Sequence, residues 1–348
     1  MIKFEDITRR FLDYLRDDVD TSVSLGLPDH LHRLGDPSLD AHWQSVEKAR
    51  ALLAELENTT AEDFYEALDI DLMQRHLQKE LFFKTLENHG ELQRKRKPAG
   101  VDGVSEGIFQ LFVNDDRDSA ARLADILSRL QQAPDYLRAE LSLLTTPVRR
   151  WRDIELEQAE EVPDLFDSVL DWARETDFAD TADLEASISD VNRALQDYRN
   201  ALSAMDTTDD FAIGRGKVEE LLALKRIDKS PEDLRQMAAD YMGETQRTLE
   251  ELRQRLVAKY GLDPETDTVT LHEYLNGKFA VELRNGELDS VLDHYQGVRE
   301  RVLQFINERQ LFPVPDDQDM VIMLTPRFLQ PVIPAGAMWP PLPLREGT

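Results

Sequence analysis

LEASISDVNRALQDYRNAL, residues 184–202, decides the fold class. Its apolar positions Leu184, Ile188, Val191, Leu195, Tyr198 and Leu202 recur at alternating spacings of four and three. That is the seam of a helix pressed against other helices, since an α-helix brings such positions to one side. The stretch is too short for a free-standing coiled coil, so it predicts packing within a bundle.

Working outward, the same periodicity recurs along most of the chain. Residues 3–17 carry Phe4, Ile7, Phe11, Tyr14 and Leu15 on one stripe, and a second helix is predicted from about Ser38 to Asn58. Thr60 with Asp63 suggests a capping box for a helix reaching about residue 88, with Phe64, Leu68, Leu72 and Phe83 inward. The segment from Gly90 to Gly107 is rich in Gly, Pro and basic residues and predicts a loop. Asp118 or Ser119 caps a helix bearing Leu123, Ile126, Leu127 and Leu130, and Pro134 is expected to restart the chain into another with Leu137, Leu141 and Leu144. Pro147 fits a first helical turn, and Pro163 is expected to kink or divide the helix that follows.

Beyond Gly214 and Gly216, Ser230-Pro231-Glu232-Asp233 forms a helix start: a cap, a proline and an acid in the first turn. The helix it opens carries Leu234, Met237, Ala238, Tyr241, Leu249, Leu252 and Leu256 toward a core, and one from 286 to 309 carries Leu288, Val291, Leu292, Tyr295, Val298, Val302 and Phe305 inward. In the tail, Val321-Ile322-Met323-Leu324 predicts a short buried strand, and prolines crowd the residues after it. The fold class is therefore all-α: an array of long antiparallel helices with one short strand near the C-terminus. The expected organisation is a helical domain, 1–309, followed by a strand and Pro-rich tail, 310–348. No repeat of fixed period is found.

Composition narrows the function. The chain has 348 residues and a formal net charge of -28, a field that repels phosphate backbones and argues against nucleic-acid binding. Its one basic cluster, Arg94-Lys95-Arg96-Lys97, lies in the predicted loop, where a solvated role is expected. With no cysteine there is no disulfide framework or thiolate chemistry. MIKFEDITRR lacks the apolar core of a signal peptide and no long apolar span exists, so a cytoplasmic chain without membrane association is expected.

Candidate chemistry is sparse. His30 and His32 flank Leu31 in a loop, and alternate residues of an extended segment share a face, as zinc ligands do. Two further ligands would have to come from elsewhere; otherwise the loop is structural or solvent-facing. His76 shares a helix with Leu72 and Phe83 and is expected to be a half-buried histidine holding one hydrogen bond. His272-Glu273 begins like a zinc-peptidase helix motif, but Asn276 stands where the second imidazole belongs. Asp115, Asp116 and Asp118 suit helix capping, and Asp316, Asp317 and Asp319 a solvated loop; neither run has the glycine and terminal glutamate of a calcium loop. Gly214-Arg215-Gly216-Lys217 lacks the strand, spacing and hydroxyl of a phosphate loop.

Several stretches together resemble the bacterial family catalogued as domain of unknown function 885. They are SLGLPDHLHRLGDPSLDA (24–41), ALDIDLMQRHLQKELFF (67–83), DSAARLADILSRLQQAPDYLRAELSLL (118–144), and the strongest, FAIGRGKVEELLALKRIDKSPEDLRQMAADYMGETQRTLEEL (211–252). The Pro-rich tail is similar to the family's segment leading into its second half. The resemblance implies the front, helical part of a zinc-metallopeptidase-like protein, whose His-Glu-x-x-His helix lies beyond the segment matching this tail. It therefore carries no catalytic, cofactor-binding or metal residue onto this chain. Zinc is expected only if a C-terminal half or a partner polypeptide supplies the site, packing on residues 320–342. The chain alone is then expected to wall one side of a substrate cleft without hydrolysing anything. Exported lipoproteins are implied for many relatives, but the missing signal and cysteine leave that expectation without support here. The alternative is a self-contained helical interaction or scaffold protein.

Overall fold

The computed structural model describes residues 2–115, 117–284, 288–314, 320–324, 338 and 342–344. They are all-α, with twelve α-helices and one two-stranded ribbon among the described residues. The chain falls into two units, Met1–Asp228 with Arg327–Thr348, and Lys229–Pro326. The breaks therefore lie inside both expected segments, 1–309 and 310–348.

In the larger unit, α1 (Phe4–Asp17), α3 (Leu39–Glu57) and α4 (Phe64–Lys84) close one apolar core around Ile7, Leu52, Leu56, Met73 and Leu77. A second core joins α5 (Gly100–Val113), α6 (Ser119–Leu143), α7 (Arg149–Glu175) and α8 (Thr181–Ser203). The heptad stripe of α8 is buried from Leu184 to Leu202, as its spacing predicts. The short helix α2 (Val19–Leu25) adds Val23 to this core, and α9 (Arg215–Leu224) lies against α4.

Both helix-dividing prolines fail to divide. α6 runs through Pro134 and α7 through Pro163. A proline inside a helix costs about 3 kcal/mol. Here the segments on either side bury residues in the same core: Leu123, Ile126, Leu130 and Leu137 in α6, and Ala159, Val162, Phe166 and Val169 in α7. That packing outweighs one lost hydrogen bond.

The expected loop at 90–107 is also corrected. Glu87–Asn88 (β1) pairs with Glu91–Leu92 (β2) around His89-Gly90, and both turn residues have positive φ, the backbone of a type I′ hairpin. Helix α5 then starts at Gly100. Its glycines serve close approach rather than flexibility. A Cβ at Gly107 would lie 2.2 Å from a guanidinium nitrogen of Arg129, and one at Gly103 2.1 Å from the Tyr136 hydroxyl. Gly107→Ala is therefore expected to lower stability by about 1–3 kcal/mol through overpacking. Gly243, inside an α-helix with nothing within 4 Å of its Cβ position, gives the opposite sign. Gly243→Ala is expected to add about 0.5–1 kcal/mol. Denaturant unfolding of both variants checks the pair, and equal signs would refute the close-approach account.

Other expectations also shift. α4 buries Ile70, Met73, Leu77 and Phe82, not the expected Phe64, Leu68, Leu72 and Phe83, which are exposed. The helix is apolar on two faces, so a stripe chosen from spacing alone can be the outer one. Its cap is Asp63, whose carboxylate accepts from the amides of Tyr65 and Glu66, rather than a Thr60 box.

The smaller unit contains α10 (Pro231–Tyr260), α11 (Thr268–Lys278) and α12 (Asp289–Arg309). The Ser230 helix start forms as read, with Ser230 as the cap and Pro231 in the first turn, and Asp233 reciprocates to complete a capping box. The inward stripes do not form as expected. Met237, Tyr241, Leu249 and Leu252 of α10 are exposed, as are Leu288 and, on α12, Tyr295, Val302 and Phe305. Residues 320–324 are irregular rather than a strand, and Val321 and Met323 are exposed. Phe328 and Trp339, also expected on the tail surface, lie outside the described residues.

Candidate functional site

The His30–His32 loop is built by its backbone. α2 ends at Gly26 in the left-handed conformation, where the chain turns back and the Leu27 amide bonds Ser22. The Ser22 hydroxyl donates to the Asp29 carbonyl at 3.0 Å. His30 has positive φ, and its carbonyl accepts from the Arg33 amide at 2.9 Å. Leu27, Leu31 and Leu34 are buried. Two side chains of α6 hold the loop from beneath. Arg129 Nε donates to the Leu31 carbonyl at 2.6 Å. Gln132 donates to the His32 carbonyl at 2.9 Å and accepts from the Leu34 amide at 3.2 Å.

The imidazoles gather little. His30 Nδ1 stands 3.5 Å from an Arg33 nitrogen, His32 is exposed, and the Asp29 carboxylate lies 3.4 Å from Arg16. Among the described residues no group of three or more His, Asp or Glu converges as metal ligands would. His76 is half-exposed, its ring edge-on to Phe11 at 5.5 Å and Nε2 3.7 Å from Glu80. His272 has Asn276 beside its ring at 3.3 Å on α11. Of the acidic runs, Asp118 caps α6, while Asp115 is buried and paired with Arg117. Asp316, Asp317 and Asp319 lie outside the described residues.

The charged groups that matter most to this chain are interior, and sequence reading missed them. Glu155 is 2% exposed. Its Oε1 accepts from the Val101 amide at 2.8 Å and the Tyr198 hydroxyl at 2.9 Å. Burial pushes the Glu155 carboxyl up, against those two hydrogen bonds, and burial beside Glu155 pushes the Tyr198 phenol up. Glu140, 1% exposed, takes both Arg94 guanidinium nitrogens at 2.8 and 2.5 Å. Arg94 also reaches the Pro37 carbonyl, and Arg96 the carbonyls of Asn88 and Asp210. The basic cluster is thus not a solvated loop: two of its arginines stitch distant segments together. Burial pulls the Arg129 guanidinium down to about 10, with Asp20 and Asp125 opposing. The legible signal was a charge on an apolar stripe: Glu140 follows Leu137 by three, and Glu155 precedes Ala159 by four. So enclosed, these groups fasten helices and distant segments to one another.

On the surface, an open groove of about 430 Å³ runs along α4 and α9, lined by Asp71, Gln74, Arg75, Gln78, Glu220 and Arg226 among others. Its central carboxylate, Asp71, is already paired with Arg75 at 2.8 Å and Arg226 at 2.5 Å. No described helix is long and apolar enough to cross a membrane.

Fold and sites together define, among the described residues, an all-α protein with a fastened polar interior and exposed apolar side chains on the helices of its smaller unit. Residues 20–348 match the family described as bacterial protein of unknown function (DUF885), and the chain belongs to that family. The resemblance read from its helices is thereby borne out. A solved structure from Shewanella oneidensis, described as "a putative lipoprotein of unknown function", is similar in fold, with a TM-score of 0.62 at 16% identity. The match covers 94% of this chain but only 61% of that one. No curated protein is detectably similar.

Proposed function

We propose that this chain is the non-catalytic helical part of a metallopeptidase-like assembly, forming one wall of a substrate cleft in the cytoplasm. The metal and its catalytic base would be supplied by polypeptide outside residues 1–348. The observation that carries this reading is the uncovered apolar surface of the smaller unit, on α10, α12 and residues 320–324. Large apolar side chains exposed in such number on one unit are the kind of surface that a partner covers. The limited coverage of the Shewanella chain supports the same reading, because more than a third of that chain has no counterpart here. Residues 320–342 remain part of the proposed packing surface.

The test is co-expression with the polypeptide encoded directly downstream of codon 348. The chain alone is expected to hydrolyse no peptide. The pair is expected to co-purify from the cytosolic fraction, retain zinc through dialysis and cleave peptides. Peptidase activity in this chain alone, or no association with the downstream polypeptide, would overturn the proposal. A second reading, a self-contained helical interaction protein, draws on Leu342, which is buried, and on the Leu344 amide, which donates to the Leu25 carbonyl at 2.8 Å. Residues 342–344 are tied back to their own unit, as a helical module that covers part of its own surface would require.

A further inference from the structure

α10 is a 30-residue helix with a single buried residue, Val257. Its exposed apolar residues are not scattered. Met237, Tyr241, Leu249 and Leu252, with the half-buried Leu234 and Leu256, fall within about 120° of one another on a helical projection, the width of a core-facing stripe, and the exposed Met242 lies just beyond its edge. Yet Met237 is 54% exposed, Tyr241 71%, Leu249 47% and Leu252 44%. Leaving such side chains in water forgoes about 25 cal/mol for each Å² of apolar surface that could be buried. The residue types are also those that anchor protein interfaces: Tyr as a rigid aromatic, Met as an adaptable thioether.

We infer that α10 is a docking helix for a second helical polypeptide, one with an apolar face flanked by more basic than acidic residues. This rests on the reading above and gives its contact an address on α10, apart from the tail. Two observations select the occupant. More than a third of the Shewanella chain lies outside the match, so a protein of this fold carries further polypeptide that could cover such a face. A second copy of this chain is disfavoured, because each copy carries a net charge of -28 and like fields repel.

The experiment measures binding of the polypeptide encoded downstream of codon 348 to this chain and to two variants, Met237→Asp/Tyr241→Asp and Leu249→Asp/Leu252→Asp. Each is expected to bind at least about 30-fold more weakly, as loss of an interface hot spot does. Circular dichroism and the unfolding midpoint of the isolated variants should stay as in the native chain, since these side chains already face water. If a double variant unfolds, Tyr241→Ala and Leu249→Ala replace it, each expected to bind several-fold more weakly. Native-like affinity in all variants would overturn α10 as the docking face while leaving the proposed function standing. No association even for the native chain would sink both. A native homodimer that the α10 variants dissolve would make a second copy the occupant and overturn the inference.

Discussion

Replacing Arg94 with methionine is expected to lower the unfolding free energy by about 3–5 kcal/mol, the cost of leaving a buried charge without its partner. The two ends of this ion pair differ in solvent access. The Glu140 side chain is 1% exposed and that of Arg94 23%. Removing the arginine strands a carboxylate that water cannot reach. Removing the glutamate instead leaves a guanidinium that can recruit some solvent and still bonds the Pro37 carbonyl. Glu140→Leu should therefore cost less than Arg94→Met, although both break the same contact. The double variant Arg94→Met/Glu140→Leu should recover much of the loss, because an apolar pair of similar volume replaces two desolvated charges. Urea unfolding of the three variants gives the cycle. If Arg94→Met and Glu140→Leu cost the same, or the double variant is no better than the worse single one, burial does not set the energetics of this pair.

That pair also shows why the sequence was legible in some places and opaque in others. α8 could be read because one apolar face repeats without interruption from Leu184 to Leu202, and only one packing satisfies it. The start of α10 could be read because capping is local: Ser230, Pro231 and Asp233 need only one another. Arg94 and Arg96 could not, because their partners lie far along the chain at Glu140 and Asp210. The same holds for Gly103 and Gly107, whose meaning depends on Tyr136 and Arg129 arriving from α6. Composition alone cannot separate a flexible glycine from one that makes room. Pro134 misled for a related reason, and Pro163 does not divide α7 on the same ground: the local cost is real, but the core packed on either side outweighs one hydrogen bond. At the histidine loop, sequence supplied the candidates His30 and His32, while Arg129 and Gln132, which hold its backbone, became visible only in three dimensions.

The uncovered stripes of α10 and α12 belong to a different case. There the sequence states a demand for burial that the described residues do not meet. Phe64, Leu68 and Leu72 on the outer face of α4 state the same demand in the larger unit. Mismatch of this kind is informative because amphipathic periodicity is expensive to maintain on a surface that only water sees.

Glu155 gives the second large effect and a dependence on pH. Glu155→Ala removes the acceptor for the Val101 amide and the Tyr198 hydroxyl at once, leaving two buried donors unsatisfied, and is expected to cost about 2–5 kcal/mol. Glu155→Gln keeps an acceptor oxygen in place and removes only the charge, so it separates hydrogen bonding from ionisation. The sign follows from the direction of the shift. Burial raises the folded-state Glu155 carboxyl above its ordinary value of 4.5. Between that value and the raised one the folded chain holds a proton that the unfolded chain has released. The contribution of Glu155 to stability is therefore full below 4.5 and is lost as pH rises through the folded value. Native and Glu155→Gln proteins should unfold at similar denaturant concentrations in mild acid, with the glutamine variant gaining on the native chain as pH rises toward neutrality. Unfolding midpoints measured across that range decide the matter. Parallel curves for the two proteins would mean that Glu155 does not titrate differently in the folded chain. A native protein that gained on the variant with rising pH would mean that the two hydrogen bonds, rather than burial, set its ionisation.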